Sequence, residues 1–257
     1  MNAREFLFSL ERHGIKLGLE NITHLLEAAG RPERGYPTVH VAGTNGKGSV
    51  VAMLDAMLRA SGLRTGRFTS PHLINLNERV LVNAQPIPDD ELDEHLAFFR
   101  AIAEKMPFSP TFFEIITAAA FRAFAARGVD VALIEVGMGG RFDSTNVIEP
   151  LVCAITNIAL EHTFHLGNTL EEIAFEKAGI LKEGVPAVVS EVRPGPRDVI
   201  LSRAEDLHCA VRLRNRDFTY SVSGPPFALD FHYESPTLRL ESAPLGLSGS
   251  YQGENAA

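Results

Sequence analysis

Cysteine is scarce: Cys153 and Cys209 are the two in 257 residues. They lie far apart and share no ligand-like spacing with other Cys or His, which makes a disulfide scaffold or a zinc module improbable. No run of about 18 apolar residues occurs, so no membrane span is expected. The start, MNAREFLFSLERHG, sets Glu5 and Glu11 among its apolar residues and lacks the uninterrupted core of a signal peptide. Positive charge is in deficit. The 24 Lys and Arg against 32 Asp and Glu leave a net charge of −8, which argues against a broad nucleic-acid surface. Glycine and proline, at 21 and 15 residues, are too few and too scattered for a fibrous or low-complexity chain. No internal repeat is visible. What remains is ordinary globular composition, 45% hydrophobic and 22% charged, long enough for a sizeable core and expected in the cytoplasm.

Short apolar strands alternate with amphipathic helices. Residues 2–13 read as a helix stopped by Gly14, and residues 21–29 as a second, capped by Asn21 and stopped by Gly30. Residues 38–42 (TVHVA) are the first strand, followed by a glycine-rich turn, a helix over 47–61 and a strand over 65–69. Residues 79–87 look extended, as part of a hairpin-like excursion, and Asp89 opens a helix to about Lys105. Thr111 with Glu114, and Thr169 with Glu172, have the spacing of capping boxes and open helices to Gly128 and about Leu181. Between them, DVALIEV (130–136) is nearly continuous in apolar residues, which suits a central parallel strand, and residues 151–156 are another. Residues 186–190 and 210–213 are strands flanking a helix after Pro196. This rhythm predicts an α/β fold with a mostly parallel sheet and helices on both faces. After Arg216 the segments FTYSV, FALDFHY and TLRLE alternate with period two, predicting a small antiparallel meander. The closing LGLSGSYQGENAA looks like the start of an element.

Residues Gly43-Thr44-Asn45-Gly46-Lys47-Gly48-Ser49 sit between the first strand and a helix. Backbone amides in such a turn can close around phosphate oxygens, the helix N-terminus adds partial positive charge, and Lys47 can neutralise the β- and γ-phosphates. The common P-loop spacing would want glycine at Val41 and a hydroxyl at Gly48; here the hydroxyl arrives at Ser49. An ordinary GTPase or small-molecule kinase is therefore disfavoured. The plainer reading is a glycine turn, but the lysine and the strand–turn–helix context coincide. Glu135 ends DVALIEV and precedes Gly137, Gly139 and Gly140, so its carboxylate would emerge at the sheet edge where ligands bind and could hold Mg²⁺. Ser70 and His72, in FTSPHL, follow the second strand; a hydroxyl there could ligate the metal, although Ser-Pro is also a common turn. Taken alone, His162 in EHTFHLG reads as a surface residue and Lys177 in EEIAFEKAG as a solvated lysine.

GTNGKGS, FTSPHL with NERV, TFFEIITAAAF, EVGMGGRFDSTN, TNIALEHTFHLG and EKAGI occur in this order. Together they resemble the folylpolyglutamate synthase and dihydrofolate synthase branch of the Mur ligase superfamily, over nearly the whole chain. The resemblance implies the Mur ligase central domain and an ATP-dependent amide ligase. A carboxylate is phosphorylated, and the acyl phosphate is attacked by the α-amine of L-glutamate. The acceptor is folate or dihydropteroate. It further implies that Lys47 and the backbone of Gly43, Thr44, Asn45, Gly46, Gly48 and Ser49 bind ATP, with Asn255 near the adenine. Ser70 and Glu135 would hold one Mg²⁺, Glu135 with His162 a second. Lys177 would be carbamylated and become an anionic partner of the metal. Thr111, Phe113 and Asp143 would contact dihydropteroate, Phe113 by stacking; the plainer readings are a helix cap for Thr111 and core for Phe113.

Two departures stand out. Where the family reads G-x-H-Q-x-x-N, this chain has Tyr251 in place of the histidine. The family also continues into a C-terminal domain, so residues 1–245 are expected to be the ATP-binding domain and residues 246–257 the start of a linker to a glutamate-ligase domain absent from this chain. A monomer is expected. The competing readings are another Mur-type ligase acting on a peptide or cell-wall acceptor, and a nucleotide-binding fragment without turnover.

Overall fold

Strand β1 (Thr38–Ala42) lies between β5 (Val131–Glu135) and β6 (Val152–Ile155), parallel to both, in the computed structural model, which describes residues 2–13 and 18–257. DVALIEV is apolar because β5 is covered on both faces: all its strand residues are buried. β2 (Thr65–Phe68) pairs with β5 on one side; β7 (Ala187–Val189) and β8 (Val211–Leu213) follow β6 on the other, all parallel. The excursion over residues 79–87 is a hairpin, with β3 (Val80–Val82) antiparallel to β2 and β4 (Gln85–Pro86) antiparallel to β3. The order is β4-β3-β2-β5-β1-β6-β7-β8.

Strand alternation divides the core. Val41 and Leu133 face α3 (Lys47–Ala60). Ala132 and Ile134 face the opposite way, toward α1 (Ala3–Ser9), α2 (Glu20–Ala28), α4 (Asp89–Ala103) and α5 (Phe112–Arg127). Further along that side, Cys153 and Ile155 meet α7 (Leu170–Ala178) and α8 (Pro196–Asp206). α5 is buried almost all round, and its Phe124 ring fills the space over Gly66 in β2. A Cβ on Gly66 would lie 2.8 Å from Phe124 Cδ1. Gly66→Ala is therefore expected to cost about 1–3 kcal/mol through overpacking, read as a lower urea midpoint at unchanged m-value; an unchanged midpoint would sink this packing argument.

Both expected capping boxes are present, at Thr111 with Glu114 and Thr169 with Glu172. Asn21, expected as a cap, is instead buried inside α2, which begins one residue earlier with no side-chain cap. Its amide is needed elsewhere: Nδ2 donates to Glu114 Oε2 at 3.3 Å and to the Ser109 carbonyl at 3.4 Å. α1 is shorter than expected and passes into a 3-10 turn at Leu10–His13; Gly14, the expected stop, lies outside the described residues. The meander is β9 (Thr219–Ser223), β10 (Asp230–Glu234) and β11 (Arg239–Pro244), antiparallel, with a bulge between Phe231 and Tyr233. The closing element is a short helix, α9 (Gln252–Ala256), against α3 and β9. No helix among the described residues is long and apolar enough to cross a membrane.

Candidate active site

Four adjacent strands, β2, β5, β1 and β6, present their C-terminal ends at one sheet edge. In open α/β sheets this edge, where connections diverge to either side, is where ligands bind. The glycine loop leaves β1 there. Gly43 has φ +144, and a Cβ on it would fall 1.8 Å from Thr156 Oγ1, so this close approach to β6 requires glycine. The loop is tied to the segment after β6. Thr44 N donates to the Asn157 carbonyl at 2.8 Å, Asn45 N to Asn157 Oδ1 at 3.0 Å, and Thr156 Oγ1 to the Asn45 carbonyl at 2.6 Å. The amides of Thr44 and Asn45 are thus engaged within the protein. Those of Lys47, Gly48 and Ser49 open α3, where the first N–H groups have no partner inside the helix and face an anion favourably. Lys47 Nζ folds back to the carbonyls of Gly43 (2.9 Å) and Thr44 (3.2 Å).

Glu135 ends β5 beside this loop. A Cβ on Gly48 would lie 3.6 Å from its Oε2, and Ser70 N donates to the same oxygen at 3.2 Å. Burial pushes the Glu135 carboxyl above its ordinary range, against the pull of Lys47, the Ser70 amide and Arg79. Glu135 is thus a buried, under-compensated carboxylate held by the Ser70 backbone amide, a hard-oxygen donor suited to Mg²⁺, which takes few protein ligands and completes its shell with water and phosphate. Among the described residues no three His, Cys, Asp or Glu side chains gather as a metal site.

After β6 the chain turns through His162, in the left-handed region at φ 43, which starts the short helix α6 (Thr163–Leu166). Lys177 is not a solvated lysine. It is 1% exposed, and Nζ donates to the Gly43 carbonyl at 3.0 Å and to Glu161 Oε1 at 2.5 Å. Burial holds its amine below the ordinary lysine range. Burial raises the Glu161 carboxyl, but Lys177, with Lys47 and Thr44, outweighs that and Glu161 ends below its usual range. Lys47 and Lys177 therefore share one carbonyl, linking the glycine loop to α7.

Next to this cluster lies a cavity of about 470 Å³ whose wall includes Ser70, Arg79, Thr111, Phe113, Asp143 and His162. Thr111 caps α5, and the Phe113 ring lies over Gly137, where a Cβ would come 2.5 Å from its Cζ. Asp143 is buried. Its carboxylate accepts from Met138 N at 2.9 Å, Thr145 N at 2.9 Å and Thr145 Oγ1 at 2.5 Å. Burial raises its pKa, partly offset by these donors. The tertiary structure thus brings Ser70, His162, Thr111, Phe113 and Asp143 to one cavity. Glu135, Lys47 and Lys177 stand at the glycine loop behind Ser70. Asn255 approaches that loop from α9: a Cβ on Gly46 would lie 2.1 Å from its Oδ1.

Sequence reasoning passed over Arg79, Glu161 and Asn157. Arg79 is buried in the cavity wall, its Nε donating to His72 Nδ1 at 2.9 Å and its guanidinium 5.3 Å from the Phe112 ring centre. Each stands inside or beside a recognised segment; that Arg79 is buried, and that Asn157 and Glu161 meet the glycine loop and Lys177, are long-range contacts no local pattern shows.

Residues 41–190 match the Mur ligase middle domain. Among similar proteins, the dihydrofolate synthase/folylpolyglutamate synthase of Bacillus subtilis (strain 168) is 41% identical over 263 residues, covering 100% of this chain and 61% of that protein. The folylpolyglutamate synthase of Lacticaseibacillus casei is 40% identical, covering 92% of this chain and 56% of its own. The apo form of the L. casei synthase superposes with a TM-score of 0.94 at 38% identity, over 99% of this chain and 64% of that one. E. coli FolC in complex with DHPP and ADP gives 0.90 at 33%, over 100% and 61%. The chain therefore spans about six tenths of the length of these relatives.

Proposed function

The chain belongs to the Mur ligase middle-domain family, and on that basis we propose that it is the ATP-binding part of an ATP-dependent carbon–nitrogen ligase. The ligase adds L-glutamate to folate and to dihydropteroate through an acyl phosphate. One observation carries the reading: the glycine loop that opens α3 and an aromatic-walled cavity share the Ser70–Glu135 edge. A nucleotide on the loop and an acceptor in the cavity would lie side by side, as a transfer of the γ-phosphoryl group to a carboxylate requires. The relatives add support, since one of them was solved with AMPPCP and folate and another with DHPP and ADP.

In this reading Lys47 and the amides opening α3 hold the phosphates and spread their charge. Ser70 and Glu135 would hold Mg²⁺, and His162 with Glu135 a second ion; the metal would supply positive charge against the phosphates. Lys177, held against the loop by the Gly43 carbonyl, is the group for carbamylation. Phe113 stacks on the acceptor heterocycle, Thr111 and Asp143 contact its polar edge, and Asn255 lies near the adenine. Residues 1–245 form the ATP-binding domain, and residues 246–257 lead toward the glutamate-ligase domain that the relatives' greater length accommodates. The protein acts as a cytoplasmic monomer on small molecules.

The test is ADP release with MgATP and L-glutamate, using dihydropteroate, tetrahydrofolate or no acceptor, in the chain and in its form extended to the relatives' length. Acceptor-dependent release is expected, with Asp143→Ala weakening dihydropteroate while AMP-PCP binding stays. Unchanged dihydropteroate affinity in that variant would point instead to a peptide-acceptor ligase. Nucleotide binding without any release in the extended protein would mean a non-catalytic module.

A further inference from the structure

His40 sits in the middle of β1 and faces away from α3, into the seam between the two larger core clusters. It is wholly buried, where an imidazole without a partner is costly. Its Nε2 lies 2.9 Å from Thr145 Oγ1, and Thr145 Oγ1 lies 2.5 Å from Asp143 Oδ1. Counting protons assigns the direction. An ionised carboxylate only accepts, so the single hydroxyl proton of Thr145 goes to Asp143. The hydroxyl oxygen must then accept from His40, which places the ring proton on Nε2. His40 Nδ1 has no partner, and in this tautomer it is a bare acceptor rather than a stranded N–H donor. The ring is neutral: burial, and secondarily the charge of Lys182, lowers its pKa to about 3.

The chain of donors ends on a group that needs it. The torsion that turns an Asp carboxylate about its own axis is soft, so backbone geometry alone does not fix the carboxylate plane. Thr145 holds Oδ1 twice, through its amide and its hydroxyl, while Met138 N holds Oδ2. The hydroxyl is itself held by the His40 ring, which is fully buried on β1. We propose that His40, acting through Thr145, is a positioning residue that sets the plane of the Asp143 carboxylate toward the heterocyclic edge of the acceptor. This rests on the reading of Asp143 as an acceptor contact.

Titration calorimetry with dihydropteroate and, separately, AMP-PCP tests it on Thr145→Val, Thr145→Ser, His40→Phe, His40→Gln and Asp143→Ala. Losing a hydrogen bond to a charged group predicts about a tenfold to a hundredfold weaker dihydropteroate affinity for Thr145→Val and a smaller loss for His40→Phe. AMP-PCP affinity should hold in both. Thr145→Ser and His40→Gln, which keep the donors, should recover most of the loss. If Asp143→Ala weakens dihydropteroate while Thr145→Val does not, the relay is wrong and the acceptor reading survives. If Asp143→Ala changes nothing, both fail. Parallel loss of the two ligands in Thr145→Val would mean general damage and overturn the positioning role. A variant-free check is the ¹⁵N spectrum of the His40 ring in the intact chain: a proton on Nε2 is expected at neutral pH, and a proton on Nδ1 would end the proposal.

Discussion

Lys47→Ala is expected to lower ADP formation about a hundredfold to a thousandfold, the range seen when one preorganised charge-stabilising donor is removed from a transition state. The lysine occupies the first position of α3, at the end of the glycine loop, where its charge acts on Glu135. Removing it takes away the side-chain cation nearest the loop amides. It also removes the strongest charge opposing the burial of Glu135, whose carboxyl should rise further and become a poorer oxygen donor. The fold should survive, because the Gly43 carbonyl keeps its bond from Lys177 and the loop keeps its ties to Asn157. Weakened AMP-PCP binding, a collapsed turnover number and an unchanged melting curve are the expected set. Lys47→Arg should recover little, since a planar fork cannot replace a point charge in a turn that closes over its own carbonyls. Near-normal turnover in Lys47→Ala would remove the loop from the phosphate-binding role.

Acid should destabilise the chain through His40 before the carboxylates of the site respond. The folded ring has a pKa of about 3, whereas an unfolded histidine titrates near about 6.5. The unfolded state therefore binds a proton that the folded state refuses. The contribution is fully present above about pH 6.5 and is lost as the pH falls toward 3, at up to about 1.4 kcal/mol per pH unit. Glu135 and Asp143 have raised values, and their protonation relieves the folded state as the pH falls, so they act in the opposite sense. The cleanest window is therefore the upper part of the range, about pH 5 to 6.5. His95, also lowered by burial, acts in the same sense as His40. Comparison with His40→Gln isolates the His40 share: denaturant unfolding in this window should show a shallower loss of stability in the variant than in the parent. Equal slopes would mean that the ring accepts a proton inside the fold.

Much of this architecture was legible because its signals are local. Period-two and period-3.6 patterning, two capping boxes and Gly128 after α5 are decided within a few residues, and the elements those signals predict are present, though α1 and α7 end earlier than the pattern alone suggested. Asn21 shows the limit. A helix start has the same local chemistry whether an Asn caps it or turns inward, and the choice went to the buried Glu114 that lies far along the chain. Lys177 shows it more sharply: on α7 it is one more lysine, and only the approach of Gly43 and Glu161 makes it a buried amine donating to both.

The order of the chemistry along the chain, a glycine loop with a lysine, an acid ending an apolar strand and a resemblance spanning six segments, was written in the residues themselves. Side-chain type and short-range spacing suffice to specify a turn, a cap or a strand end. What only folding decided is which of these meet. Parallel pairing sets the C-terminal ends of β2, β5, β1 and β6 side by side, and that single register carries Ser70, Glu135, Lys47 and the Asn157 loop to one edge. Burial is likewise a collective outcome. The displaced pKa values of Glu135, Asp143 and His40 arise from water excluded by layers that no window of sequence contains.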